Sequence, residues 1–164
     1  MLTGSRQTRD GTDHLVLTRR LGAPVEDVWA AITRSGRLAL WFCTWTGDPT
    51  TGRVEVRWVF EEDMPGEAYV IDACEEPRHL RVRSVADDPT QVWTLDARLD
   101  SADGVTTLTF AQVLTEDVDV REVGPGWEYY LDRLEESVRT GEVSTVAWED
   151  YEALAEEYAV LAQG

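Results

Sequence analysis

His14 and His79 are the two side chains of the 164-residue chain that ordinarily titrate near neutral pH, and so the first candidates for acid–base chemistry. His14 opens an apolar run and His79 follows the Glu75-Glu76-Pro77 turn. Neither stands beside a serine or cysteine in a nucleophile elbow or triad arrangement, so both are expected at the surface and no catalytic residue is assigned. The carboxylates gather as Glu61-Glu62-Asp63, Glu75-Glu76 and Asp87-Asp88, all in turns and without the spacing of a calcium loop, so no metal site is expected. Cys43 and Cys74 lack metal-ligand spacing and read as reduced, buried thiols. A phosphate loop and a dinucleotide fingerprint are both missing, so no cofactor is implied.

The remaining chemistry is aromatic. Trp41, Phe42 and Trp45 follow a helical stretch, Trp58, Phe60, Tyr69, Trp93 and Phe110 fall on strands, and Trp127 and Tyr130 share a helix. Such a set either fills a core or lines an apolar pocket in which a few polar groups orient a ligand. Asp72, Thr94, Asp96, Arg98 and Gln112 are the strand polars that a one-residue change of register would turn inward. Arg98 facing Asp96 or Asp72 is the candidate orienting pair. The candidate ligand-binding residues are therefore Trp41, Trp58, Phe60, Tyr69, Trp93, Arg98, Phe110, Trp127 and Tyr130.

The elements that must position these rings follow from periodicity. Residues 1–13 are polar and read as a loose arm. His14 to Leu21 is a first strand; Pro24 then opens a short helix to about residue 33, with Glu26 and Asp27 at its positive end. A second short helix is expected over 36–41. From Arg53 the period becomes two, with strands predicted over 53–60, 67–74, 79–85, 91–99 and 105–114, joined by short turns as an antiparallel meander. Tyr69, Ile71 and Ala73 are expected to share one face. An acidic loop over 115–124 leads to a helix from Pro125 to Thr140 with Trp127, Tyr130, Leu131, Leu134 and Val138 in a stripe, and a last helix runs over about 145–162.

Composition bounds the role. Fifteen basic residues, all arginine, against 32 acids give a net charge of −17. Nucleic acid and anionic membrane surfaces need basic patches and are excluded as partners. No apolar run is long enough to span a membrane, and residues 1–13 carry no secretory h-region, so the expected address is the cytoplasm.

The ordered pieces Arg20-Leu21-Gly22-Ala23-Pro24-Val25-Glu26-Asp27-Val28-Trp29 with Ala31-Ile32-Thr33, then Leu40-Trp41-Phe42, Val70-Ile71-Asp72, Glu76-Pro77-Arg78-His79-Leu80, Thr106-Thr107-Leu108-Thr109-Phe110, and Gly126-Trp127 with Leu131-Asp132-Arg133-Leu134 resemble the SRPBCC (START-like, Bet v 1-like) superfamily. Within it the chain is most similar to the heat-shock-protein-90 ATPase-activator homologue group. The resemblance implies an α+β helix-grip fold: a curved antiparallel six-stranded sheet wrapped around the long C-terminal helix, an extra C-terminal helix, and one domain over 14–164. Many relatives carry histidine at the positions of Gln112 and Glu128, so no histidine role transfers there. The glycine pair usual after the first long loop is here Thr51-Gly52. The implied function is a cytosolic, non-catalytic binder of a small hydrophobic or aromatic ligand, as monomer or homodimer. The alternatives are a protein-interaction module acting on a chaperone and, third, a polyketide cyclase-like enzyme.

Overall fold

The computed structural model describes residues 2–59 and 65–163. Its frame is one antiparallel sheet of eight strands: β1 (Ser5–Arg9), β2 (Thr12–Leu21), β3 (Cys43–Thr46), β4 (Arg53–Trp58), β5 (Glu67–Glu75), β6 (His79–Ser84), β7 (Thr94–Ala102) and β8 (Val105–Val113). They pair in the order β1-β2-β8-β7-β6-β5-β4-β3. Asp10-Gly11 and Asp103-Gly104 join two of the hairpins, and all four residues have positive φ (51°, 79°, 53° and 78°). That conformation gives the tight turn whose twist matches a pair of antiparallel strands, and Asp-Gly adopts it at little steric cost.

Four α-helices complete the fold: α1 (Val25–Thr33), α2 (Ser35–Leu38), α3 (Val120–Thr140) and α4 (Leu154–Ala162). α1 buries Val25, Val28, Trp29 and Ile32, the stripe its 3.6-residue period requires. α3 lays Trp127, Leu131 and Leu134 into the core, each 3% exposed or less. At 1.5 Å per residue α3 is about 32 Å long and can cross several strands. On β8, Leu108, Phe110 and Gln112 alternate onto the same buried face, and the Trp127 indole meets Gln112 there.

The structure corrects several expectations. Residues 5–9 are not a loose arm but β1, paired with β2 from Ser5↔Val16 to Arg9↔Thr12. All five residues of β1 are exposed, so no hydrophobic alternation marks it. β3 is the second strand beyond the expected six; with four residues it is too short to show a period. α2 stops at Leu38 rather than residue 41. α3 starts at Val120 because Asp119 accepts a hydrogen bond from the Arg121 N–H, and Pro125 lies inside the helix instead of opening it. The last helix is a single 3-10 turn over Trp148–Asp150 followed by α4 from Leu154. β7 begins at Thr94, which leaves Trp93 in the preceding loop.

Candidate functional site

Two chambers lie between the sheet and α3. The inner one has a volume of about 280 Å³ and is walled by α1, the α2–β3 segment, the sheet and α3. Its lining includes Trp29, Ile32, Trp41, Val56, Leu108 and Phe110. The outer one, about 600 Å³, reaches from Tyr69 and Trp93 past Tyr129 and Tyr130 to Trp148. Phe42, Trp58, Tyr69 and Trp127 line both chambers and form a ring wall between them. Phe42 is its centre, with ring centroids 5.0 Å from Trp58 and 5.4 Å from Trp127; Trp58 meets Tyr69 edge-on at 6.3 Å. Tilted and edge-to-face rings at these distances attract one another beyond their simple burial.

The sheet register builds the inner chamber's floor. Phe110, Ala97, Leu80 and Cys74 form one cross-strand row over β8–β7–β6–β5, and Gln112, Leu95, Val82 and Ile71 form the next. A bulge at Asp72 shifts the β5 register between Ile71 and Ala73. Cys74 therefore replaces the expected Ala73 in the lining, and Asp72 pairs with Arg83 at 3.0 Å.

Seven of the nine candidate residues line the chambers. Trp41 and Phe110 lie in the inner one, Trp93 and Tyr130 in the outer one, and Trp58, Tyr69 and Trp127 in both. Trp41 is held by its indole N–H, which donates to the Ala31 carbonyl at 2.9 Å. Trp93 is held by its backbone N–H, which donates to Ser84 Oγ at 2.9 Å. Phe60 lies outside the described residues. Arg98 is not part of the site: the alternation that turns Leu95, Ala97 and Leu99 inward turns it outward, where it is exposed and 3.4 Å from Asp96. Periodicity missed Tyr129 and Trp148, whose rings meet edge-to-face at 5.4 Å in the lining of the outer chamber. It also left Gln112 as a residue needing a register change, although Phe110 two positions earlier already puts it on the inner face.

Cys43, Cys74 and Asp96 are among the residues lining the inner chamber, and Glu67 and Glu122 among those lining the outer one. Neither histidine lines a chamber. Contrary to expectation both are withdrawn from solvent: His14 is 8% exposed with Nδ1 3.0 Å from the Thr12 carbonyl, and His79 Nε2 lies 2.8 Å from Asp96 Oδ2 on the outer sheet face. Cys43 is buried, and burial raises its thiol to about 12. Cys74 is exposed rather than buried; partial burial and the Glu76 charge push its thiol up.

Glu128, one turn beyond Gly124 on α3, is the most heavily bonded group. Its carboxylate accepts from the Thr3 N–H (2.6 Å), Thr3 Oγ1 (2.7 Å), the Gly4 N–H (3.1 Å), Arg19 Nη2 (2.8 Å) and the Tyr158 hydroxyl (2.6 Å). Burial pushes this carboxyl up, but the hydrogen bonds from Tyr158, Thr3 and Arg19 outweigh it and hold it below the usual carboxylate range. Tyr158 fits because Gly4 and Gly124 leave room; a Cβ on Gly124 would stand 2.5 Å from its ring. Glu128 thus ties the N-terminal segment, β2 and α4 to α3, away from the chambers.

A curved antiparallel sheet closed over one long helix, with an apolar space between them, defines the helix-grip class of the SRPBCC superfamily. The chain belongs to the activator of Hsp90 ATPase homolog 1-like protein family, whose sequence profile matches residues 22–139. CalU16 from Micromonospora echinospora is similar over all of this chain and 98% of its own, at 25% identity and a TM-score of 0.76. DynU16, a protein of the dynemicin biosynthetic locus, is similar over 80% of this chain and 49% of its own, at 25% identity and a TM-score of 0.69. EF2215 from Enterococcus faecalis shares the fold at 19% identity and a TM-score of 0.72, over 96% of this chain and 91% of its own. No curated protein matches the chain.

Proposed function

We propose that the protein binds a small apolar or aromatic molecule between its sheet and α3, and holds it without transforming it. The observation that carries this reading is the inner chamber, about 280 Å³ of space lined by apolar and aromatic side chains and the two cysteines, with Thr33 and Asp96 as the other polar residues in its wall. An apolar cavity of about 150 Å³ is already enough to hold benzene. The outer chamber adds room for a larger body, and its Tyr129, Tyr130 and Trp93 rings extend the same surface. A ligand removing about 400 Å² of apolar surface from water gains roughly 10 kcal/mol before association costs, which leaves affinity in the micromolar range. The site belongs on this reading to a cytoplasmic monomer or homodimer; no helix among the described residues is long and apolar enough to cross a membrane.

A neutral dye such as N-phenyl-1-naphthylamine tests the reading. It should bind saturably and quench tryptophan emission, because Trp58 and Trp127 stand in the wall. Trp127→Ala should change the dye's affinity in protein shown by urea unfolding to be folded. Absence of saturable quenching up to the dye's solubility overturns the reading. Membership of the activator family supports a second reading, a surface that stimulates a chaperone ATPase. Its check is the rate of ATP hydrolysis by heat-shock protein 90 with and without this protein.

A further inference from the structure

We propose that the bound molecule carries a positively charged nitrogen, and that the outer chamber holds that end while the inner chamber holds the apolar body. The inference rests on the reading of the chambers as a ligand site and names the class of ligand. The two linings differ. Aliphatic side chains dominate the sheet side of the inner chamber, and its charged member is Asp96. The outer chamber, about 600 Å³, takes eight of its fourteen lining residues from the aromatics. Its charged members among the described residues are both carboxylates, Glu67 and Glu122.

Rings closed by carboxylates suit an alkylated ammonium. The face of an aromatic ring is negative and attracts a cation within about 6 Å of its centroid, while the carbons around the nitrogen pack as apolar groups. A carboxylate or phosphate ligand would instead meet like charge at Glu67 and Glu122. The fold already makes one contact of the attractive kind: the Arg133 guanidinium lies 5.1 Å from the Tyr129 centroid, and its Nη1 donates to the Tyr129 hydroxyl at 3.1 Å. Arg133 takes one face of Tyr129, so the ligand's cation is assigned to Trp93 and Trp148 with Glu122.

Those two rings are held in place. The Trp93 backbone N–H donates to Ser84 Oγ, and Trp148 meets Tyr129 edge-on at an interplanar angle of 84°. Trp148 is nevertheless 40% exposed, and Glu122 is exposed, so both stand where the chamber meets solvent. The approach is acidic. Glu116, Asp117, Asp119 and Glu122 lead into and begin α3, and the one arginine among them, Arg121, pairs with Asp119 at 2.6 Å. Asp117 accepts from the Thr90 hydroxyl at 2.6 Å, which sets this stretch against the turn that supplies Gln91 to the lining. Such a mouth, on a chain of net charge −17, draws cations in and repels anions.

Two probes of one shape separate charge from size: (1-naphthylmethyl)trimethylammonium and 1-neopentylnaphthalene, in which a charged nitrogen and a carbon exchange places. Each is titrated by displacement of N-phenyl-1-naphthylamine at physiological ionic strength. The cation should bind about tenfold more tightly. Trp148→Leu and Glu122→Gln change exposed positions, and each should cut that preference about threefold while leaving the neutral probe's affinity as it was. Glu135→Gln combined with Glu156→Gln removes two exposed charges outside the lining and should leave the preference intact. Equal affinities, or a tighter neutral probe, in the unaltered protein overturn the inference and leave the ligand site standing. A preference that survives Trp148→Leu or Glu122→Gln in full, or that the remote pair cuts as deeply, overturns its assignment to the outer chamber and traces it to net charge. Failure of the dye and both probes to bind overturns the ligand site, and the inference with it.

Discussion

Arg19→Met should cost more stability than any surface substitution in this protein. The Arg19 guanidinium is 8% exposed, donates to Glu128 at 2.8 Å, lies 3.2 Å from Asp132 and donates to Thr3 Oγ1 at 2.7 Å. Methionine keeps much of the side-chain volume and removes the charge. Glu128, 3% exposed, would then hold its negative charge on neutral donors alone. Removing one partner of a buried ion pair costs about 3–5 kcal/mol, and the four remaining donors put this case at the lower end, about 3 kcal/mol. With a urea slope of about 2 kcal/mol per molar, the unfolding midpoint should fall by about 1.5 M. The pH arm has a definite sign. The folded Glu128 carboxyl sits below its ordinary value of 4.5, so its contribution is complete above that pH and is lost as pH falls through the folded value. Arg19→Met raises the folded value, so acid destabilisation should begin at higher pH. Arg121→Met is the control: Arg121 pairs with Asp119 at 2.6 Å but is 58% exposed, so water already screens the pair and its loss should leave the midpoint nearly unmoved. A midpoint for Arg19→Met within ~0.3 M of the unaltered protein would refute the reasoning.

Leu134→Ala should cost about 2–5 kcal/mol by urea unfolding, because the side chain is fully buried on the core face of α3. Raising ionic strength from low to physiological should raise Tm, since a net charge of −17 repels itself; a flat or falling Tm would count against it. Hydrogen bonds from Ser144 and Thr145 lower the Glu136 carboxyl to about 2 from an ordinary 4.5. The stability it contributes is therefore present above pH 4.5 and lost between there and about pH 2, so Glu136→Gln should flatten Tm against pH in that window.

Alternation made the central strands legible: Val54, Val56 and Leu95 share the inner face that period two assigns them. The same rule, followed two residues past Phe110, also puts Gln112 inside, and followed through Leu95 and Ala97 it puts Arg98 outside. β1 left no such trace, because a strand exposed on both faces has no reason to alternate; its one local sign is the Asp10-Gly11 turn. The start of α3 was obscured by two competing signals, Pro125 and Asp119, and the capping aspartate prevails. The bulge at Asp72 comes from pairing with β6 and has no signature in β5 itself. Tyr129 and Trp148 escaped for a related reason: they meet only because the chain after α3 returns along it.

Thr3, Gly4, Arg19 and Tyr158, the residues that donate to the Glu128 carboxylate, all fall outside the family-matched span of 22–139, while Glu128 itself falls within it. The same boundary removes β2, the only neighbour of β8 on that side of the sheet. The stretch by which the family is recognised therefore leaves out the donors to its own buried carboxylate and one neighbour of its last strand. Excised, it would carry a stranded anion on α3 and a bare backbone edge along β8, an open template for other chains to add strands.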